Sequence, residues 1–517
     1  MTTTSPQPPF VIAVVGAGPS GIYAAEALAH QNDVDARVVV IDRLPVPFGL
    51  VRYGVAPDHP SIRSVRTTLE RTLSRDNVTF YGDVTIGRDL TVAELRSCVD
   101  ACVFAFGAAT SRRLGIPGED AIGSIGAPDF VSWYTGNPDL HPDRVPGAHP
   151  PVDHGGSPSV VPTAELLADV RSAVVVGAGN VALDVVRILI KDADELAATD
   201  MADEVLTAMR AKQITDVHLL ARRGPSDTTM TTKEVRELGR INGCDVIIGP
   251  DDLDWVAEEN AAVGKVAQRN MAEFLAWAGG PRRLGASRRI HLHFWVSPTD
   301  IEVTDSPRGE RVSGVRVADT RPGASATHHL PAGLVVRAIG YRGVALPGLP
   351  YDPATGGVPH DEGRVLDDRG PGPARTINAT YVTGWIKRGP TGVIGTNKSD
   401  ATETVQSLLH DIDEGDFSPQ HPEGLESLAE LLRHRGITPL DLPAWHRIDA
   451  AEVDHGQATG RERATLAHRS ELRAAAHGPD SGQGREAEGD HQDDQQDADG
   501  GAVVLDIEHD RQPIERA

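Results

Sequence analysis

Two stretches of the chain carry the same order of apolar and polar positions. Residues 11–15 are an unbroken apolar run, Gly16-x-Gly18-x-x-Gly21 follows, and apolar positions then recur at helical spacing to Ala29. Further on, 174–176 repeat the run, Gly177-x-Gly179-x-x-Ala182 repeats the turn, and the helical pattern continues to Leu189. An apolar run without alternation reads as a parallel strand covered on both faces, and the glycine turn as its passage into a helix. The free N–H groups at such a helix N-terminus suit a pyrophosphate. The pattern therefore predicts one chain built to hold two dinucleotides.

Around these units the periodicity predicts more α/β structure. Residues 36–45 read as a second buried strand ending at Asp42, an acid placed to accept from a ribose hydroxyl. Residues 46–65, rich in Gly and Pro yet bracketed by apolar positions, read as an irregular connection beside the first nucleotide loop, with a helix over 61–74. A strand over 101–110 ends near Gly107, 126–162 read as loop, and 191–212 as polar helix. The next strand stops at Arg222 and Arg223, where its counterpart stopped at Asp42. Two guanidinium groups grip a 2′-phosphate, so the second unit is expected to prefer NADP over NAD, with Asp227 an opposing charge nearby.

Beyond it the pattern gives helices over 232–240 and 254–277, and short strands near 290–296 and 314–317. Residues 334–343 resemble 101–110 and close the insert. Residues 379–409 read as strand, Gly-rich turn and a helix starting near Ser399, and 424–476 as polar helix. On Asp184, inside the second helical run, the reading is helix packing or polarity rather than catalysis. The fold class expected is α/β, with two Rossmann-like dinucleotide-binding domains, the NADP-preferring second one inserted in a discontinuous first. The boundaries are 1–112 for the first part of the discontinuous domain, 113–340 for the inserted one and 341–477 for the second part, with 478–517 an acidic disordered tail.

Composition narrows the function. At 517 residues the chain exceeds one ordinary core, and its formal charge of −24 argues against binding nucleic acid or an anionic membrane surface. Three cysteines, Cys98, Cys102 and Cys244, form no Cys-x-x-Cys pair, which leaves no zinc ribbon, iron–sulfur ligand set or redox dithiol; no metal is expected. The first ten residues lack a charged leader and no apolar run approaches a membrane span, so a cytoplasmic location is expected.

Longer motifs carry a family resemblance over about residues 10–410, and more loosely to 475. PFGLVRYGVAPDHP, GNVALDVVRIL, ARRGP followed by KEVREL, and GWIKRGPTGVIGTNK are similar to the adrenodoxin reductase family and its bacterial ferredoxin–NADP reductases. The resemblance implies an FAD-dependent oxidoreductase, its NADP domain (113–340) inserted in a discontinuous FAD domain (1–112 and 341–477), that moves electrons between NADPH and a ferredoxin-type iron–sulfur protein. Beside the fingerprint glycines Gly16, Gly18 and Gly21, it implies FAD contacts at Ser20, Asp42, Leu50, Ile86, Trp385 and the backbone of Gly392, Val393 and Ile394. NADP(H) contacts are implied at Gly179, Asn180, Val181, Arg222, Arg223 and Glu234, with Gly392 near the nicotinamide. His59 and Glu237 resemble the family's histidine and acid near the flavin and nicotinamide, with roles in orientation and proton handling.

For an acidic ferredoxin the expected docking face is a basic patch at Arg236 and Arg240, with Arg282, Arg283, Arg288 and Arg289 as a second cluster. Two other classes remain open: a small-molecule NADPH-dependent flavin oxidoreductase, and a non-catalytic nucleotide sensor. A yellow protein bleached by NADPH and reoxidised by ferredoxin separates the first reading from both.

Overall fold

The computed structural model describes residues 8–141, 162–249, 252–253, 264–367 and 373–478. The expected tail from 479 on, most of the 126–162 loop and the start of the expected 254–277 helix lie outside the described residues.

Two parallel sheets carry the fold. The first has seven strands, ordered His360–Asp361, Arg364–Asp367, Arg375–Val382, Ala101–Phe104, Phe10–Val15, Ala36–Ile41 and Val78–Tyr81. Its last five are parallel neighbours, and only the first two pairings are antiparallel. Phe10–Val15 is buried at all six positions, which is why it reads without alternation: helices cover both of its faces. The second sheet is parallel throughout, ordered Ser124–Gly126, Leu334–Arg337, Ser172–Val176, Asp216–Leu220, Arg288–His293 and Cys244–Ile248.

Strands of the first sheet thus come from both sides of the chain segment that builds the second. The two segments crossing between the sheets, Thr110–Ser111 and Tyr341–Arg342, pair as a short antiparallel ribbon. In each sheet the glycine turn leaves the central strands at their C-terminal ends, where α/β sheets bind ligands.

Several details differ from the sequence reading, and the helix expected over 191–212 is two, Ala193–Ala197 and Asp203–Ala211. Pro128 sits in the first turn of a helix, Ala127–Tyr134, inside the stretch expected to be loop; proline breaks a helix interior but is well placed at its start. Strands Val296–Ser306, Gly309–Asp319 and Thr327–Pro331 form an antiparallel sheet much longer than the short strands expected. Their polar residues face solvent over most of their length, which thins the apolar signal. The 61–74 helix divides into Pro60–Arg63 and Val65–Leu73, with Ser64 between them.

The C-terminal helices, Gly424–His434, Leu442–Ala458 and Arg469–His477, return to the first sheet. Glu452, fully buried, accepts from Arg52 and Arg463, so the charge carried inward on Leu442–Ala458 is paired on arrival.

Candidate functional site

Helices Pro19–Ala29 and Asn180–Ile190 both start without a side-chain cap, at Gly18 and Gly179. Their first N–H groups are therefore offered to a ligand rather than to the chain. Gly16 and Gly177, the first glycine of each turn, have φ of 115° and 136°. An added Cβ would collide with the carbonyl oxygens of Ala105 and Ala338 respectively. Both loops press backbone against the neighbouring strand end, which leaves the side facing the helix open for phosphate oxygens. The residues present fit two dinucleotides.

At the first loop Asp42 closes the second strand. Its carboxylate accepts from Ala17 N–H (2.6 Å) and Leu44 N–H (2.9 Å). Burial raises its pKa against those two bonds. Two donors leave lone pairs over, so a ribose diol can still be received. Ser20 Oγ donates to Asn397 Oδ1 (2.9 Å), which also accepts from Arg388 (2.6 Å). This ties the first loop to the returning segment of 383–397.

That segment is anchored by Asp400, which accepts from Thr383 Oγ1 (3.1 Å) and Gly384 N–H (2.5 Å) and pairs with Lys387 (3.0 Å). The anchoring presents Trp385, half-buried and edge-on to Tyr341 with ring centroids 5.4 Å apart. Beyond it come Gly392, an exposed Val393 and a half-buried Ile394, just ahead of helix Thr396–Asp413. Leu50 opens the short helix Leu50–Tyr53, and Ile86 is buried beside the tips of the first two strands.

At the second loop Asn180 Oδ1 accepts from Thr231 N–H (2.8 Å), and Thr229 N–H donates to Ala178 O (3.1 Å). Val181 packs on the core beneath. Arg222 and Arg223 are both exposed. Arg223 lies 4.0 Å from Asp227, whereas Arg222 has no carboxylate partner among the described residues. Asp227 therefore tempers one guanidinium and leaves the other for an anion.

Between the two loops lies a buried charge network. His59 Nε2 donates to Glu237 Oε2 at 2.7 Å and stands 3.7 Å from Glu234 Oε2. Arg187, on helix Asn180–Ile190, donates to Asp58 (2.6 and 3.1 Å), Asp184 (2.7 Å) and Glu234 (3.1 Å); Lys191 adds 2.8 Å to Asp58. Burial alone would raise the Asp58 carboxyl, but its bonds to Arg187 and Lys191 win and hold it below the usual range. Burial raises Asp184 to about 6 despite Arg187. His59, Asp184 and Glu234 converge closely enough for a cation, yet the Arg187 guanidinium bonds both carboxylates and already stands as their counter-charge.

The structure brings His59, Glu234 and Glu237 together, while Arg222 and Arg223 stand at the far rim of the second loop. Sequence reading missed Asp58, Arg187, Lys191, Asn397 and Asp400, and placed Asp184 in helix packing or polarity, where it pairs with Arg187 three residues on. Asp184 and Arg187, three apart, form a helix pair by spacing alone; their apolar neighbours on both sides, NVALDVVRILI, were the signal that the pair is buried.

Of the arginines considered for docking, Arg236 is half exposed and bonds Glu273 (2.6 Å), and Arg240 is exposed beyond the end of helix Thr232–Leu238. Arg283, Arg288 and Arg289 are spent on backbone carbonyls and acids of their own domain. A recess of 230 Å³ lined by Arg96, Asp100 and His421 opens at the other ends of the first sheet's strands. Its acid is already used, since Asp100 accepts from Val11, Gln420 and His421 N–H.

Residues 10–234 match the family model for pyridine nucleotide-disulphide oxidoreductases. The chain is 40% identical over 486 residues to the NADPH-ferredoxin reductase FprA of Mycobacterium leprae (strain TN), covering 90% of this chain and 98% of that one. To the mitochondrial NADPH:adrenodoxin oxidoreductase of Bos taurus it is 36% identical over 481 residues, covering 89% and 91%. The structure of Mycobacterium tuberculosis FprA in complex with NADPH superimposes with a TM-score of 0.78 at 39% identity, covering 91% of this chain and all of that one.

Proposed function

The chain belongs to the adrenodoxin reductase family of NADPH–ferredoxin reductases, and on that premise we propose how its own residues move electrons between NADPH and a ferredoxin-type iron–sulfur protein. It is an FAD-dependent oxidoreductase with the two-sheet α/β fold of that family. Bound FAD supplies the exchange of two electrons as a hydride with the nicotinamide and of single electrons with the iron–sulfur partner. Everything else falls to the protein: binding, orienting and excluding water.

Gly16, Gly18, Ser20 and Gly21 would hold the FAD pyrophosphate, Asp42 the ribose, and Leu50, Ile86, Trp385 and the backbone of Gly392, Val393 and Ile394 the ring. Gly179, Asn180 and Val181 would hold the pyrophosphate of NADPH. Arg222, with Arg223 in support, would grip the 2′-phosphate. His59 and Glu237 would orient the nicotinamide and keep a proton on Nε2, with Glu234 fixed behind them by Arg187. The domains would then divide at the Thr110–Ser111 and Tyr341–Arg342 ribbon, close to 112 and 340.

The observation that carries this reading is the His59–Glu237 contact, which joins the segment after the first loop to the helix after the second. His59→Gln should slow flavin reduction by NADPH by roughly 10- to 100-fold in anaerobic stopped flow, the scale of a small misplacement. An unchanged rate and pH profile would overturn the assignment.

For the partner, Arg236 and Arg240 are the proposed docking residues, because both are exposed and an acidic ferredoxin needs a local positive patch on an acidic body. Charge reversal at both should raise the ferredoxin KM and leave dye reduction intact. Among the described residues no helix is long and apolar enough to cross a membrane, and the three cysteines are free and buried, which favours a reducing cytoplasm.

A further inference from the structure

Strands Asp216–Leu220 and Arg288–His293 lie side by side and parallel, with His218 opposite His291. One face of the pair is core, formed by Val217, Leu219, Ile290 and Leu292. Alternation puts His218, His291 and His293 on the other face, all half-buried, with Asp216 and Arg289 below them. The three imidazoles are nearly parallel. His218 stacks on His291 at 4.4 Å and 13°, and lies 5.3 Å and 19° from His293. His218 Nδ1 is 3.0 Å from His293 Nε2. His291 donates through Nε2 to Asp216 Oδ1 (2.9 Å), which Arg289 also holds.

Packing does not call for this arrangement. Branched aliphatic residues would cover the same sheet positions and leave no ring nitrogens to satisfy. We propose that His218 Nδ1 and His293 Nε2 are the two protein donors of a site for a divalent transition-metal ion of the Cu²⁺ and Zn²⁺ class, with water completing the coordination.

Three arguments support it. Nitrogens bound to one tetrahedral ion stand about 3.3 Å apart, close to the 3.0 Å that separates this pair. Of two neutral rings sharing one hydrogen bond, only one carries its proton between them; moving that proton to the ring's other nitrogen frees both donors without net proton release. Imidazole donors select borderline ions such as Cu²⁺ and Zn²⁺ over Mg²⁺ and Ca²⁺, which take oxygen. The site lies just beneath the Arg222–Arg223 turn, since Ala221 N–H donates to His293 O (2.8 Å).

The test uses the oxidised holoenzyme, in which bound flavin is silent in electron paramagnetic resonance. One equivalent of Cu²⁺ should give a spectrum with imidazole-nitrogen superhyperfine structure, and Zn²⁺ a calorimetric isotherm that Mg²⁺ does not reproduce. His218→Gln and His293→Gln should each lose that Cu²⁺ spectrum and weaken Zn²⁺ by at least about 10-fold, whereas His59→Gln should retain both. A wild-type protein that takes up neither ion overturns the proposal, as does a spectrum and isotherm unchanged in both variants.

Discussion

The two glycine-loop units begin alike and part at the end of their second strands. In the first, Asp42 is half-buried and held by two backbone donors, and helix Pro19–Ala29 carries no charge on its buried face. In the second, Arg222 and Arg223 stand in solvent, and helix Asn180–Ile190 carries Asp184 and Arg187 inward. The third glycine differs as well: a Cβ at Gly21 would strike Gly16 O, whereas the second unit accommodates Ala182. On the proposed assignment, a shared cradle for pyrophosphate would serve two kinds of occupancy. An enclosed acid suits a cofactor that stays; exposed cations suit a dinucleotide that must arrive and leave each turnover. The buried charges of the second helix then meet the first unit's Asp58 and His59, so the exchanging half carries the contacts that assemble the site.

The sharpest way to break this comparison is to spoil each cradle in turn. Ala at a positive φ costs about 1–2 kcal/mol before any collision, and at both Gly16 and Gly177 the new Cβ also meets a carbonyl oxygen. Gly16→Ala should purify without flavin absorbance. Gly177→Ala should stay yellow yet fail to bleach with NADPH. If both variants remain yellow and both bleach, the division of labour between the units is wrong.

Next in size is the charge network. Arg187→Met strands Asp58, Asp184 and Glu234 without their common cation, a loss of about 3–5 kcal/mol, read as a lower urea midpoint. Its counterpart on the first helix, Glu26 paired with Lys398 at 3.1 Å near the surface, should cost under about 1 kcal/mol as Glu26→Gln. Similar losses at both positions would erase the contrast between the helices.

Asp184 adds a pH signature. Its carboxyl is raised by burial to about 6, so the folded state holds the proton more tightly than the unfolded chain. The contribution to stability is complete below pH of about 4 and is lost as pH rises through about 6, by at most about 3 kcal/mol. Asp184→Asn carries no such dependence. The variant should gain on the wild type between pH 4.5 and 7.5 in paired urea titrations; a constant difference would mean that Asp184 titrates normally.

What was legible in the sequence follows the same contrast. Both glycine units, Asp42 and the arginine pair stood out because a cradle is local: strand, turn and helix are contiguous, and the strand end follows within one βαβ unit. The site between the units was legible only in part. His59 and Glu237 lie 178 residues apart and touch, which no periodicity reports, and they were reached through motif resemblance. Asp58 and Lys191 went unseen because each looks like surface charge until the other domain arrives. Asn397 and Asp400 were missed for a related reason: Asn397 meets Ser20 of the distant first loop, Asp400 meets Thr383, Gly384 and Lys387, and helix Thr396–Asp413 begins three residues earlier than its polar start suggested.

The smallest effects decide how the second unit chooses its dinucleotide. Arg222 has no carboxylate partner among the described residues, so Arg222→Ala should remove a charge-assisted contact worth about 2 kcal/mol, raising the NADPH KM by roughly 30-fold and leaving that for NADH where it was. Arg223 is shared with Asp227 at 4.0 Å, both exposed, and such a pair is worth under about 1 kcal/mol. Asp227→Gln should therefore lower the NADPH KM by no more than about 5-fold, again without moving NADH. A gain as large as the Arg222→Ala loss would place the 2′-phosphate on Arg223, and the free guanidinium at Arg222 would lose its assigned role.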